Sequence, residues 1–344
     1  MIVIAELINA TRKKVREAVI ARDEERIKGL VISQKKGGGD YIDINVGTGR
    51  GDAQDEMESM RWAVNAAKQA VEGDISLSID SANHDVLKAG LEEAPKGRSH
   101  FINSVTAESE RLEPTLQLAV EFEANVIALA MGDDGIQVEV EKRVEAASVI
   151  REKAAAMNIP DDRLYFDPLV MPLGTDPRNP LLTIETGREI KKRFPDVHLC
   201  MGLSNVSHGL PERKLLNRVF LVLAMQAGFD SALIDPTDKG MMDTLKAADA
   251  LLGNDLDEPD LTASRYMGSA AELAAELPDR DDTHTLLPFV LLFEVSHRPG
   301  AFCFVERHLP GLHRKVVADD RVGDVLHAGD LLCAHPLEVG EVEA

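Results

Sequence analysis

The stretch Tyr41-Ile42-Asp43-Ile44-Asn45-Val46 decides how the chain is read. It is short, rich in β-branched residues, and followed by a Gly47-Thr48 turn and a helix-like amphipathic segment, Arg61–Val71. Branched side chains fit an extended backbone, and so apolar a run suits a strand covered on its outer side. The same unit recurs along the first two thirds of the chain. Apolar runs stand at Ile2–Ile8, Ile75–Ile79, Phe101–Val105, Val126–Met131, Leu164–Phe166, Leu199–Leu203 and Ala232–Ile234, which makes eight with Tyr41–Val46. Between them, Leu112–Glu123, Glu139–Met157, Ile184–Arg193 and Lys214–Ala227 carry a helical period. Strands alternating with helices imply a parallel sheet, and eight units in roughly 250 residues predict an α/β fold, the (β/α)8 TIM barrel. An open doubly wound sheet would need a glycine-rich phosphate loop after its first strand. That turn reads Asn9-Ala10-Thr11-Arg12, without glycine.

Composition narrows the function. Hydrophobic residues make up 44% of the 344 but aromatics only 4%, so the core must be aliphatic. A formal net charge of -21 repels phosphate backbones and anionic membranes, so neither nucleic acid nor a membrane is expected as partner. Cys200, Cys303 and Cys333 form neither a disulfide framework nor a CxxC site. With no charged leader at the start, they point to a cytoplasmic protein. The apolar stretch Leu286–Phe293 is far too short to span a bilayer.

After Tyr266 the strand–helix rhythm stops, which places the barrel in residues 1–266 and a C-terminal extension of unassigned order and role in residues 267–344. Ala270–Leu277 could add one helix. Six of the ten histidines fall between His284 and His335, yet neither they nor the Cys303/His308/His313 set has metal-ligand spacing, so no metal is expected.

In such a barrel the chemistry sits at the carboxyl ends of the strands. Those ends carry Asn9, Asp43 and Asn45, Asp80, Asn103, Asp133 and Asp134, Asp167, Ser204 and Asn205, and Asp235. Any one of them has an ordinary role as a helix cap or turn former. Together they make a rim rich in hydrogen-bond acceptors and poor in cations, suited to a flat, neutral, N–H-rich heterocycle such as the aminopyrimidine edge of a pterin.

The segments ELINATR (Glu6–Arg12), YIDINVGT (Tyr41–Thr48), SLSIDS (Ser76–Ser81), FINSVTAE (Phe101–Glu108), YFDPLVMPLGT (Tyr165–Thr175), GLSNVSHGLP (Gly202–Pro211) and SALIDP (Ser231–Pro236) resemble, in order, the methyltetrahydrofolate:corrinoid (iron-sulfur) protein methyltransferases. That family is similar to dihydropteroate synthase in fold and pterin pocket. The resemblance covers most of the barrel and none of the extension. It implies that Asp80, Asn103 and Asp167 hold the pterin ring, that Asn205 reaches N5, and that Gly202 and Ser204 shape the loop carrying it. Asp43 and Asn45 would line the same mouth, with Asn9 and Asp235 at its edge. His208 stands where the family has an aromatic and Ala5 where it has glycine, departures that bear on loop shape.

The implied reaction moves a methyl group between methyltetrahydrofolate and the cobalt of a corrinoid held by a partner protein. A methyl on a tertiary amine leaves poorly, so a donor at N5 that strengthens as the C–N bond breaks would lower the barrier. A homodimer is implied as well. Two alternatives are a dihydropteroate synthase and a non-catalytic pterin or corrinoid-protein binder. The first would require cations for a diphosphate, and Leu203-Ser204-Asn205-Val206 lacks the basic pair.

Overall fold

The structure is a computed structural model that describes residues 1–49, 51–254, 291–295, 302–306 and 315–318. The chain divides into two compact units, Met1–Ser269 and Ala270–Ala344. The expected boundary after Tyr266, the helix at Ala270–Leu277 and the histidine and cysteine side chains from His284 onward lie outside the described residues. Within the second unit, strands Leu291–Val295, Phe302–Glu306 and Lys315–Ala318 pair antiparallel around the middle one.

The first unit is the expected barrel. Its strands are β1 (Ile2–Asn9), β2 (Tyr41–Asn45), β3 (Ser76–Asp80), β4 (Phe101–Val105), β5 (Asn125–Leu129), β6 (Leu164–Asp167), β7 (His198–Leu199) and β8 (Ser231–Ile234). Neighbours pair in parallel in the order β7-β6-β5-β4-β3-β2-β1-β8. The β7–β8 seam closes through Asp230 N–H to Leu199 C=O and Leu233 N–H to Met201 C=O, at 3.2 and 2.9 Å. A parallel bridge joins Gly202 to Leu233 there.

The helices are α1 (Lys13–Ala21), α2 (Glu24–Lys36), α3 (Ala53–Ala70), α4 (His84–Glu93), α5 (Leu112–Glu121), α6 (Val140–Ala156), α7 (Asn179–Arg193), α8 (Arg213–Gln226) and α9 (Lys239–Leu252). α3 starts eight residues before its expected place because Asp52 and Asp55 form a capping box, each side chain accepting the other's backbone N–H. α4 lies close on β3 because Gly90 has no Cβ; one there would meet Ile79 Cγ2 at 2.6 Å. Among the described residues no helix is long and apolar enough to cross a membrane.

Strand alternation produces two environments. Outward residues such as Val3, Ile42, Leu77, Ile102, Val126, Phe166 and Ala232 join the main core beneath the helices. Inward, Ile4, Phe101, Ile127, Tyr165 and Cys200 form a second cluster inside the barrel, with Tyr41 and Leu233 against it. Tyr41, Phe101 and Tyr165 meet edge to face at 4.6 Å. This apolar plug is the floor of the mouth, and the next inward position on most strands is polar.

Candidate functional site

Each polar position at the mouth follows from the strand that presents it. On β2, β3 and β4, Asn45, Asp80 and Asn103 are partners in register, Asn45 opposite Asp80 and Asp80 opposite Asn103, so the three stand side by side. Asn45 Nδ2 donates to Asp80 Oδ2 at 3.0 Å. One inward step lower, Asp43 is fully covered and accepts from Asn103 Nδ2 at 3.1 Å. Asp167 ends β6, buried at 8% exposure. Its Oδ1 accepts Leu169 N–H at 2.7 Å and its Oδ2 accepts Gly202 N–H at 3.3 Å, tying β6 to the turn after β7.

That turn, the 3-10 segment Leu203–Ser207, carries Ser204 and Asn205. Ser204 Oγ donates to Glu6 Oε2 at 3.3 Å, and Arg213 at the start of α8 donates to Ser204 C=O at 2.8 Å and to Ser207 Oγ at 3.1 Å. Asn205 is exposed, and its side-chain amide makes no hydrogen bond with any described residue; Nδ2 lies over Gly202, 3.2 Å from where a Cβ there would stand. An uncommitted amide at a solvent-open rim is available to a ligand.

Glu6 is the residue missed by the reading of strand ends. β1 carries a bulge, with Glu6 and Leu7 together opposite Asp43. The bulge frees Leu7 N–H, which donates to Gln34 Oε1 at 2.7 Å, and leaves Glu6 inside the mouth. A charged residue inside the apolar run IVIAELIN was the available signal.

Burial sets the electrostatics. Desolvation raises Asp43 well above the usual carboxylate range, and the charge of Asp80 raises it further. Asp80 is pushed up to about 6 by burial, opposed by the hydrogen bond from Asn45. Asp167 also rises to about 6 by burial, opposed by the Leu169 and Gly202 N–H groups and by the Arg143 guanidinium. Glu6 is raised by burial, with Arg12 and Ser204 pulling the other way. These carboxyls therefore carry protons at a higher pH than ordinary ones, and a protonated one can donate as well as accept.

Other expected positions are occupied differently. Asn9 Oδ1 accepts Thr11 N–H and Oγ1–H at 3.0 and 2.6 Å, and Asp235 Oδ1 does the same for Thr237 at 2.9 and 2.6 Å. Both side chains form the local turns that their residue types favour. Asp133 and Asp134 are exposed and lie past the end of β5; Asp133 binds Ser109 N–H and Oγ–H on the neighbouring loop. Leu129 instead ends β5, opposite Asp167. Among the described residues no group of three His, Cys, Asp or Glu is arranged to hold a metal ion.

A mouth with an apolar floor, carboxyl and amide walls and one uncommitted amide can seat a flat, N–H-bearing ring and leave its far edge open. A family model described as pterin binding enzyme matches residues 5–235. The chain is similar to a methylcorrinoid:tetrahydrofolate methyltransferase of Eubacterium limosum, 37% identical over 257 residues, which cover 74% of this chain and 92% of that one. It is also similar to methionine synthase of Mycobacterium tuberculosis, 33% identical over 247 residues, covering 68% of this chain but 20% of that much longer protein. Dihydropteroate synthase from Stenotrophomonas maltophilia superposes with a TM-score of 0.54 at 18% identity, over 73% of this chain and 92% of that one. The last likeness speaks for the fold alone.

Proposed function

The chain belongs to the pterin-binding enzymes, and from that premise we propose that it is a methyltransferase moving the N5-methyl group between methyltetrahydrofolate and the cobalt of a corrinoid protein. One observation carries the reading: 37% identity to a methylcorrinoid:tetrahydrofolate methyltransferase, sustained over 92% of that relative. The make-up of the mouth supports it. Asp80, Asn103 and Asp167 offer acceptors to the N–H edge of the pterin ring, with Asp43 below Asn103 and Asn45 beside Asp80 holding those two side chains in place. Gly202 and Ser204 fix the turn from which Asn205 projects.

Breaking the bond between N5 and the methyl carbon leaves an electron pair on N5, where a donor is then needed. The Asn205 amide is the group for that task, donating directly or holding a water that gives the proton. Its hydrogen bond gains strength as charge develops, which lowers the barrier rather than merely tightening binding. The methyl group must meet cobalt from the solvent side, and the exposure of Asn205 fits a mouth open to a cofactor presented by another protein.

Dihydropteroate synthesis lacks such support. Among the described mouth residues, the charge of Arg12 is paired with Glu6, and the donors of Arg213 are turned onto Ser204 C=O and Ser207 Oγ, so no basic pair stands ready for a diphosphate. A homodimer completes the reading, together with a cytoplasmic location in which Cys200 stays a thiol. Leu215, Val219 and Leu223, spaced by four on α8 and each at least 51% exposed, make an apolar stripe for a second copy. Light scattering on the parent and on Leu215→Glu would read the dimer.

The deciding experiment mixes the protein with methyltetrahydrofolate and cob(I)alamin and follows the absorbance of methylcobalamin. The reverse mixture, tetrahydrofolate with methylcobalamin, reads the other direction. Tight folate binding without transfer in either direction would instead make the chain a binding module.

A further inference from the structure

Arg143 is among the most deeply buried side chains of the barrel, at 1% exposure, and among the described residues it makes no salt bridge with a carboxylate. It lies in the first turn of α6, the positive end of the helix dipole, where a cation is disfavoured. Helix stability does not explain a buried guanidinium there; its charge acts on the nearby Asp167 carboxylate without a direct bridge, and its donors are spent on what it touches.

It touches three backbone carbonyls. Nε donates to Gln137 C=O at 2.7 Å, and Nη1 donates to Pro168 C=O and, at 2.9 Å, to Leu169 C=O. Leu169 has a φ of 69°, a left-handed conformation that a leucine adopts only when its surroundings hold it. Pro168 C=O and Leu169 N–H share one planar peptide group, so holding the carbonyl aims that N–H at Asp167 Oδ1, 2.7 Å away, while the left-handed turn brings Leu169 C=O back onto the same guanidinium. Thr183 Oγ1 on α7 also donates to Leu169 C=O, at 3.1 Å, so the turn is gripped from two helices.

We propose that Arg143 is a positioning residue: by clamping the Pro168-Leu169 turn it fixes the direction in which the Asp167 carboxylate faces the pterin. The inference rests on the assignment of Asp167 to the pterin pocket. The same guanidinium bolts the loop Gly132–Val138 to this turn through Gln137, so rim loop and carboxylate are held as one piece. Lysine cannot replace it, because a single ammonium does not reach three divergent carbonyls.

The test is a double-mutant cycle on tetrahydrofolate affinity, read by calorimetry. Arg143→Met strips all three carbonyls of a donor, so Arg143→Lys, which keeps the charge and one contact, is the variant to use. Arg143→Lys and Asp167→Asn should each weaken binding about tenfold, and the double variant should bind no more weakly than Asp167→Asn alone. Additive losses, about 100-fold in the double variant, would show Arg143 acting independently of Asp167 and overturn the proposal. So would an Arg143→Lys protein that binds like the parent, or one that has lost its thermal transition. Asp167→Asn binding as tightly as the parent is a separate signature: it removes the pocket assignment and takes this inference with it.

Discussion

Asn103 reaches from β4 to Asp43 on β2, its Nδ2 3.1 Å from the carboxyl, passing over the intervening strand. Asn45 on β2 donates to Asp80 on the adjacent strand β3 at 3.0 Å. Both amides spend a donor on a carboxyl, which leaves acceptor oxygens for a ligand. Asp80→Asn and Asp167→Asn should therefore each weaken tetrahydrofolate binding by about 1–3 kcal/mol, because an N–H of the ring then faces an amide that can present its own N–H. Titration calorimetry reads this directly, and full affinity in both variants would remove the pocket assignment.

The pH dependence of binding follows from the same groups. Burial pushes Asp80 and Asp167 up to about 6, so below that pH each takes up a proton and loses acceptor capacity. Affinity should hold steady above pH 7 and fall as pH drops through 6, by up to about tenfold per unit for each group. Affinity measured from pH 5 to 8 checks this. A flat profile in the parent would mean that neither carboxylate accepts from the ligand.

Stability of the empty protein should run the opposite way. The folded-state value for Asp80, about 6, exceeds its ordinary 3.8, so the folded state binds that proton more tightly than the unfolded one. The resulting stabilisation is complete below 3.8 and is lost as pH rises through 6. Asp80→Asn keeps an oxygen for Asn45 and removes the buried charge. It should add about 1–2 kcal/mol at pH 8 and nothing near pH 4, measured as urea midpoints at the two pH values.

The barrel was legible because its signal is long-range and repeated: eight apolar runs, each within a few residues of a strand, on a floor that needs only inward apolar residues. That Asp43, Asn45, Asp80, Asn103 and Asp167 share one mouth was legible because inward direction follows from alternation once the strands are placed. Alternation fails where register slips. Glu6 sits in the β1 bulge, and two consecutive residues against one partner have no periodic signature. Asp133 and Asp134 follow β5 by several residues, beyond the reach of strand geometry, and the loop folds them outward. Arg143 lay hidden because a cation within a helix reads as solvated surface; its hydrogen bonds to the Gln137, Pro168 and Leu169 carbonyls show what it holds.

Asn205→Ala should cut the transfer rate on the order of 10²-fold while leaving tetrahydrofolate affinity within about twofold, the pattern of a hydrogen bond made in the transition state. Affinity should stay because the Asn205 amide makes no hydrogen bond with described residues, so its loss disturbs none of the residues around the ring. Single-turnover absorbance separates this from a binding defect. An unchanged rate would dismiss Asn205 from N5.

Gly202 offers a subtler perturbation of the same amide. Its φ of −77° is open to any residue, so glycine is not required there for backbone reasons. A Cβ would, however, come within 3.2 Å of Asn205 Nδ2, closer than ordinary contact. The exposed Asn205 side chain can swing away from it, whereas the Gly202 N–H held by Asp167 has no reason to move. Gly202→Ala should thus keep the fold and the pterin affinity yet misplace the amide by a few tenths of an ångström, lowering the transfer rate about tenfold. In the Asn205→Ala background the same substitution has no amide left to displace and should cost nothing further. An equal loss in both backgrounds would show that the glycine serves the turn itself, not the side chain above it.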